Sequence, residues 1–281
     1  MSQQVTKIKT RIKSVSSALK VTSAMKLVST VKLKKWKGKM LSYRDYSDEI
    51  SRACNTVLTY ANKVNTPYNK INDVDKNLYI IVSSSLGLCG SYNSNIFKLA
   101  DASISEKDDA IIIGNKGLIH YEHGKVNKIE GFNDNATSQN SGFMNSLCSF
   151  VINEYIKGTY HEIHLIYSSY RNSLVFIPKD LIILPLNHES VDENGLGYGP
   201  ILEPNPQILV DTLMPIYLKS VINSKILESE VCEQASRSNA MENATNNAQE
   251  ILDELQIQFN KARQGAITQE ITEIVAAANA L

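Results

Sequence analysis

The chain has 281 residues, 43% of them hydrophobic and 21% charged, with 29 basic side chains balanced by 29 acidic ones. That composition belongs to a folded protein, and no stretch approaches the roughly 18 apolar residues that a transmembrane helix needs. Cys54, Cys89, Cys148 and Cys232 are scattered without metal-ligand spacing, which predicts buried, reduced thiols rather than a disulfide framework.

The first 64 residues contain no proline and one glycine, Gly38. Ile8, Ile12, Val15, Leu19, Thr22, Lys26, Ser29, Leu33, Trp36 and Met40 recur at alternating spacings of four and three. That is the period of a coiled-coil seam, made imperfect by its polar middle. One long helix is expected over residues 1–64. It is basic: residues 1–44 hold twelve Lys or Arg and no Asp or Glu. The N-terminus lacks the apolar core of a secretory signal, so none is expected.

Pro67 and the polar run 69–76 mark a loop, after which the texture changes. Leu78–Ser83, Ala110–Ile113, Lys125–Ile129, Glu162–Ser168 and Leu174–Leu184 read as strands, the last with Pro178 as a possible interruption. Helices are expected at Asn95–Ser103, from the Gly114-Asn-Lys-Gly117 turn through Tyr121, and at Gly142–Lys157. Alternating strands and helices predict an α/β domain with a largely parallel sheet over residues 77–186.

A Gly- and Pro-rich loop, 187–206, leads to a second long helix over 207–281, with Pro215 in its first turns or at a kink. Ala244, Ala248, Ile251, Leu255, Gln258 and Ala262 repeat the four-three alternation, and the ladder then steps by one to Ile267, Ile271, Ile274, Ala278 and Leu281. The 66 proline-free residues from Ile216 would make a helix about 100 Å long. A helix longer than a domain is wide needs a partner along its length. Residues 228–281 carry nine acidic and three basic side chains, the opposite sign to the N-terminal helix. The expected architecture is a long antiparallel coiled coil of the N- and C-terminal helices, drawn together by charge, with an α/β domain inserted between them.

Chemistry is scarce. Gly87-Leu-Cys-Gly90 falls between a strand and a helix, where phosphate-binding loops occur, but it matches neither G-x-G-x-x-G nor a Walker loop, so turn geometry is the preferred reading. His161 and His164 are predicted to point to opposite faces of a strand, and His120 and His123 have only Glu122 near them in sequence, so surface histidines are expected. The cluster Lys32, Lys34, Lys35, Lys37 and Lys39 around Trp36 raises nucleic-acid binding. Attraction between this helix and the acidic C-terminal helix is the simpler account. No catalytic constellation and no cofactor site is read.

Four separated motifs carry a family resemblance. Asn260-Lys-Ala-Arg-Gln-Gly-Ala-Ile-Thr-Gln-Glu-Ile-Thr-Glu-Ile-Val275 resembles the C-terminal signature of F-type ATP synthase gamma subunits, with Ile267, Thr268, Glu270 and Glu273 in the signature positions. The run from Ile8 to Val28 is similar to that family's opening helix. Ser85-Leu-Gly-Leu-Cys-Gly90 resembles its Asp-Arg-Gly-Leu-Cys-Gly turn, and Glu203-Pro-Asn-Pro206 its Glu-Pro-Asp/Asn-Pro stretch. Leu86 replaces the usual basic residue and Ala277 the usual glycine.

The resemblance implies a non-catalytic rotor shaft of the F1 sector, with a Rossmann-like α/β domain between the coiled-coil helices. It implies alpha, beta and epsilon subunits and the c-ring as partners. The place it implies is peripheral, on the cytoplasmic side of a bacterial cell membrane, with no nucleic acid and no cofactor. It implies beta-subunit contacts at Met25, Lys26, Arg263 and Gln264, c-ring contacts at Tyr46 and Glu203, and an apolar bearing from Ile274 to Leu281. A paralogous adaptor in an F1-like ATPase that does not make ATP is the alternative left open.

Overall fold

Helix α1 runs from Gln3 to Tyr60 and helix α5 from Pro206 to Asn279 in the computed structural model, which describes residues 3–60, 66–124, 126–132, 141–186 and 202–279. Between them lie β1 (Leu78–Val82), α2 (Tyr92–Ser103), β2 (Asp109–Ile113), α3 (Asn115–His120), β3 (Asn127–Lys128), α4 (Ser141–Ile156), β4 (Ile163–Tyr170) and β5 (Phe176–Leu184). The chain divides into two compact units. One joins α1 up to Val31 with α5 from Arg237 onward; the other spans Lys32 to Ser236.

In the first unit the two helix segments pair antiparallel. Thr245 donates to Thr22 (2.9 Å), Lys26 to Glu242 (2.7 Å), and the Thr30 and Ser238 hydroxyls meet at 3.1 Å. The polar middle of the α1 seam is therefore bridged by hydrogen bonds. The α5 side of the seam differs from the sequence reading. Met241, Thr245, Ala248, Leu252, Leu255, Phe259, Ala262 and Ala266 are buried or half-buried in strict four-three alternation, while Ile251 and Gln258 face solvent. The two registers share Ala248, Leu255 and Ala262 and differ by one residue at alternate positions. The observed one buries Leu and Phe instead of Ile and Gln, and so removes more apolar area from water.

The one-step shift to Ile267, Ile271 and Ile274 also takes another form. The pairing of 22 with 245 and 30 with 238 exhausts α1 near Ala266. Beyond it, Ile267, Ile271, Ile274 and Val275 are 49–68% exposed. Charge attraction has a smaller part than expected. Lys7, Lys9, Arg11, Lys13 and Lys20 stand on the exposed face of α1, away from the seam, and the half-exposed Lys26–Glu242 pair contributes no more than about 1 kcal/mol.

In the second unit Leu33, Trp36, Met40 and Tyr43 of α1 pack on Leu227 and Val231 of α5. The sheet order is β3-β2-β1-β4-β5, parallel except for the antiparallel edge strand β5. Pro178 does not interrupt β5; it lies opposite Ser168 in the ladder at the sheet's outer strand, where a missing N–H is tolerated. The third strand is two residues long rather than five. Leu78, Ile80 and Val82 face α4, the end of α1 and the first half of α5, whereas Tyr79 and Ile81 face α2. A strand buried on both faces explains the continuous apolar runs.

Candidate functional site

In sheets of this topology the ligand crevice lies outside the carboxyl ends of the strands where the strand order reverses. Here the reversal falls between β1 and β4. Helix α5 fills that crevice. Its residues Val210, Met214, Leu218, Ile222 and Ile226 pack in the core on one face of the sheet, and Cys232 joins the core on the other. Between them the helix passes the ends of the strands. The Ser169 hydroxyl and the Tyr170 N–H both donate to Oε1 of Glu228 at 2.8 Å. The Ser168 N–H donates to Ser229 Oγ (3.1 Å), which also lies 2.8 Å from the Tyr92 hydroxyl. The Cys232 thiol donates to the Ser168 carbonyl (3.3 Å) and the Ser236 hydroxyl to the Cys89 carbonyl (2.6 Å).

The turn after β1 is closed on itself. The Ser84 N–H donates to Asn93 Oδ1, the Asn93 amide donates to Ser84 Oγ, and the Ser84 hydroxyl donates to the Leu86 carbonyl. Gly114 follows the neighbouring strand at φ +98°, where a Cβ would come within 2.3 Å of the Ser83 carbonyl oxygen. That close approach is what Gly114 serves. Leu86 and Leu88 at the tip are 62% and 61% exposed, Leu88 with φ 61°. The four cysteines are buried and unpaired. Burial raises the Cys54 thiol to about 11 and, despite opposing contacts, the Cys148 and Cys232 thiols to about 12, so they are inert rather than nucleophilic.

One histidine expectation needs correction. His164 is buried: Nδ1 lies 2.9 Å from Asp180 and Nε2 3.1 Å from Glu162, with the ring stacked on Tyr79 at 4.6 Å. His120 is exposed as expected; it meets Asp101 at 3.1 Å and stacks on Phe97. Among the described residues no cluster of His, Cys, Asp and Glu could hold a metal ion, and no helix is long and apolar enough to cross a membrane.

The ATP synthase family model matches residues 4–281. The chain is 34% identical to the ATP synthase gamma chain of Mesoplasma florum over 278 residues, covering 98% of this chain and 97% of that one. It is 34% identical to the ATP synthase gamma chain of Clostridium beijerinckii, covering 97% and 96%. The chain belongs to the ATP synthase gamma chain family. Solved structures match the fold: a chain of the central stalk and c-ring of Tetrahymena thermophila mitochondrial ATP synthase (TM-score 0.58, 20% identity, 80% of this chain and 99% of that one), and a chain of Euglena gracilis mitochondrial ATP synthase (0.54, 17%, 88% and 94%). The helical ends with a central Rossmann-like mixed sheet are thus the fold of this gamma family.

The residues named from the family motifs fall in separate places. Met25 and Lys26 are half-buried beside Glu242, and Arg263 and Gln264 are exposed. The 21 residues from Glu242 to Arg263 place these patches about 30 Å apart along α5. Ile274 is 68% exposed, and Leu281 lies outside the described residues. In the second unit, Tyr46 is 47% exposed on α1 beside Tyr43. Glu203 is exposed just before α5, whose start packs near the end of α1 through Val210, Met214, Val57 and Leu58. The contacts of Glu228, Ser229 and Ser236 escaped the sequence reading. Their signal was present as small residues at Ser229, Cys232 and Ser236, one helix face that permits close approach to a strand end.

Proposed function

We infer that this chain is the central rotor subunit of the F1 sector, a non-catalytic shaft carrying torque between the membrane c-ring and the catalytic beta subunits. The observation that carries the reading is that likeness to gamma chains extends over both helical ends and the sheet between them, not over the sheet alone. The filled crevice agrees with it: helix α5 occupies the place where a Rossmann-like sheet would bind a nucleotide, so the ATP chemistry belongs to other subunits. The functional divisions in this reading are residues 1–64 and 207–281 as the coiled coil and 77–186 as the α/β domain. Ion flow turns the ring and the shaft for ATP synthesis, and hydrolysis reverses the motion. Each face of the turning shaft biases the conformational populations of the beta subunit it meets.

Exposed Arg263 and Gln264 are suited to a beta-subunit loop, since a guanidinium offers a planar fork to carboxylates. Met25 adds an apolar contact, and Lys26, already paired with Glu242, contributes its field together with the exposed Lys32–Lys39 cluster. Tyr46 and Glu203 serve the c-ring. Ile274 and Leu281 belong to an apolar bearing in which directional bonds resisting rotation are few. The epsilon subunit completes the stalk, and the complex holds the chain at the cytoplasmic face of a bacterial membrane. The test is reconstitution with alpha and beta subunits of the same organism. One copy per alpha-beta ring with faster, sustained hydrolysis is expected. A complex whose turnover ignores the chain would overturn the reading.

A further inference from the structure

We propose that Glu228, Ser229 and Ser236 form the joint through which torque passes between α5 and the sheet, an assignment that rests on the rotor reading above. Apolar packing is non-directional: it holds a helix against a sheet but offers little resistance to small rotation about the helix axis or sliding along it. The core contacts of α5 at Val210, Met214, Leu218, Ile222 and Ile226 are of that kind, joined by Lys225 over the Tyr167 ring at 5.4 Å. From Glu228 to Ser236 the contacts change character. Alongside the apolar packing of Val231 and Cys232, hydrogen bonds enter, and most engage main-chain groups of the β4 end or the β1–α2 turn rather than mobile side-chain tips.

Both carboxylate oxygens of Glu228 are engaged, Oε1 by β4 and Oε2 by Lys225 at 3.2 Å. Charge-assisted bonds of this kind are the stronger class. Ser229 is fully buried and ties two elements at once, the N–H of Ser168 in β4 and the hydroxyl of Tyr92 in α2. Ser236 adds a third attachment two turns further on, at the turn following β1. Three attachments on one helix face, to three elements of the sheet layer, fix the angle of α5 about its own axis. Turning the helix would stretch all of them together.

The test uses the full complex in liposomes, with ATP hydrolysis and the membrane potential it generates recorded together. The chain carries Glu228→Ala, Ser229→Ala and Ser236→Ala, or the conservative Glu228→Gln alone. The triple variant should keep the hydrolysis rate while charge moved per ATP against an opposing potential falls about threefold or more. Glu228→Gln retains an acceptor for Ser169 and Tyr170 and should pump like the unsubstituted chain. If the triple variant does not assemble, Glu228→Ala alone is read in the same way. An unchanged ratio of pumping to hydrolysis in the Ala variants overturns the joint and leaves the rotor reading standing. Failure of the unsubstituted chain to support any pumping overturns the rotor reading, and the joint with it.

Discussion

His164 should lose its stabilising role as pH rises, and the geometry says why. A neutral imidazole has one N–H, yet both ring nitrogens of His164 face carboxylate oxygens, Asp180 at 2.9 Å and Glu162 at 3.1 Å. Both bonds form only when the ring is an imidazolium. Burial by itself lowers the His164 pKa, but the hydrogen bond and charge of Asp180 and the charge and hydrogen bond of Glu162 outweigh it, and the pKa is raised from 6.5. Tyr79, stacked on the ring, has its own pKa pushed up to about 12, mainly by burial and by the nearby carboxylates Asp108, Asp180 and Glu162, so it remains neutral. A group whose pKa rises on folding contributes its full stability below its unfolded pKa and loses it as pH climbs through the folded value. Two charge-assisted bonds contribute roughly 1.5–3 kcal/mol each, less here because Glu162 and Asp180 are 31% and 26% exposed. His164→Gln keeps one amide donor toward the pair. It should destabilise the purified chain by about 2–3 kcal/mol at pH 6 and by about 1 kcal/mol or less at pH 9. In a domain of this size each kcal/mol moves the melting temperature by about 2–4 °C. Equal gaps between the two proteins at pH 6 and pH 9 would refute the imidazolium bridge.

Arg263→Ala with Gln264→Ala should slow ATP hydrolysis by the assembled complex without blocking assembly; unchanged turnover in a complex of normal composition would count against their role. The seam register is tested by pairs of variants: Leu252→Ala and Phe259→Ala should each cost about 1–3 kcal/mol in chemical denaturation, and Ile251→Ala and Gln258→Ala under about 0.5 kcal/mol. Asp109, opposed by burial but held by Lys76, Tyr160 and Asn127, has a lowered pKa. Its contribution is therefore present above about pH 4 and fades as pH falls through the folded value. Asp109→Asn should destabilise by about 2–3 kcal/mol at pH 7, with the gap narrowing as pH falls below about 4; a gap as large at pH 3 as at pH 7 would show that shape, not charge, is what the site requires.

The strands and helices of the sheet domain were legible because each carries its own period: apolar runs for strands buried on two faces, a four-three ladder for α1. The α1 seam was read correctly down to its polar residues because it is a property of one helix. The α5 seam was misread because Ile251 and Leu252, like Gln258 and Phe259, differ by one step in a helix of small residues. The choice between them depends on what α1 presents opposite. The His164 bridge was missed because Asp180 reaches the ring only through the antiparallel pairing of β4 with β5. The family motifs named Arg263 and Tyr46, but motif matching could not find Glu228 or Ser229. Their importance comes from lying at the mouth of a crevice that exists only once β1 and β4 are neighbours.

The end of α5 beyond Ala266 has a consequence for how the chain is made. Thirteen described residues there continue as a helix without α1 alongside, carrying Ile267, Ile271, Ile274 and Val275 outward. An unsupported helix of that length is only marginally stable in water, and its oily stripe invites both self-association and proteases. A newly synthesised copy that outlasts the supply of its partners is therefore the vulnerable one. Limited proteolysis of the isolated chain should therefore cut first beyond Ala266.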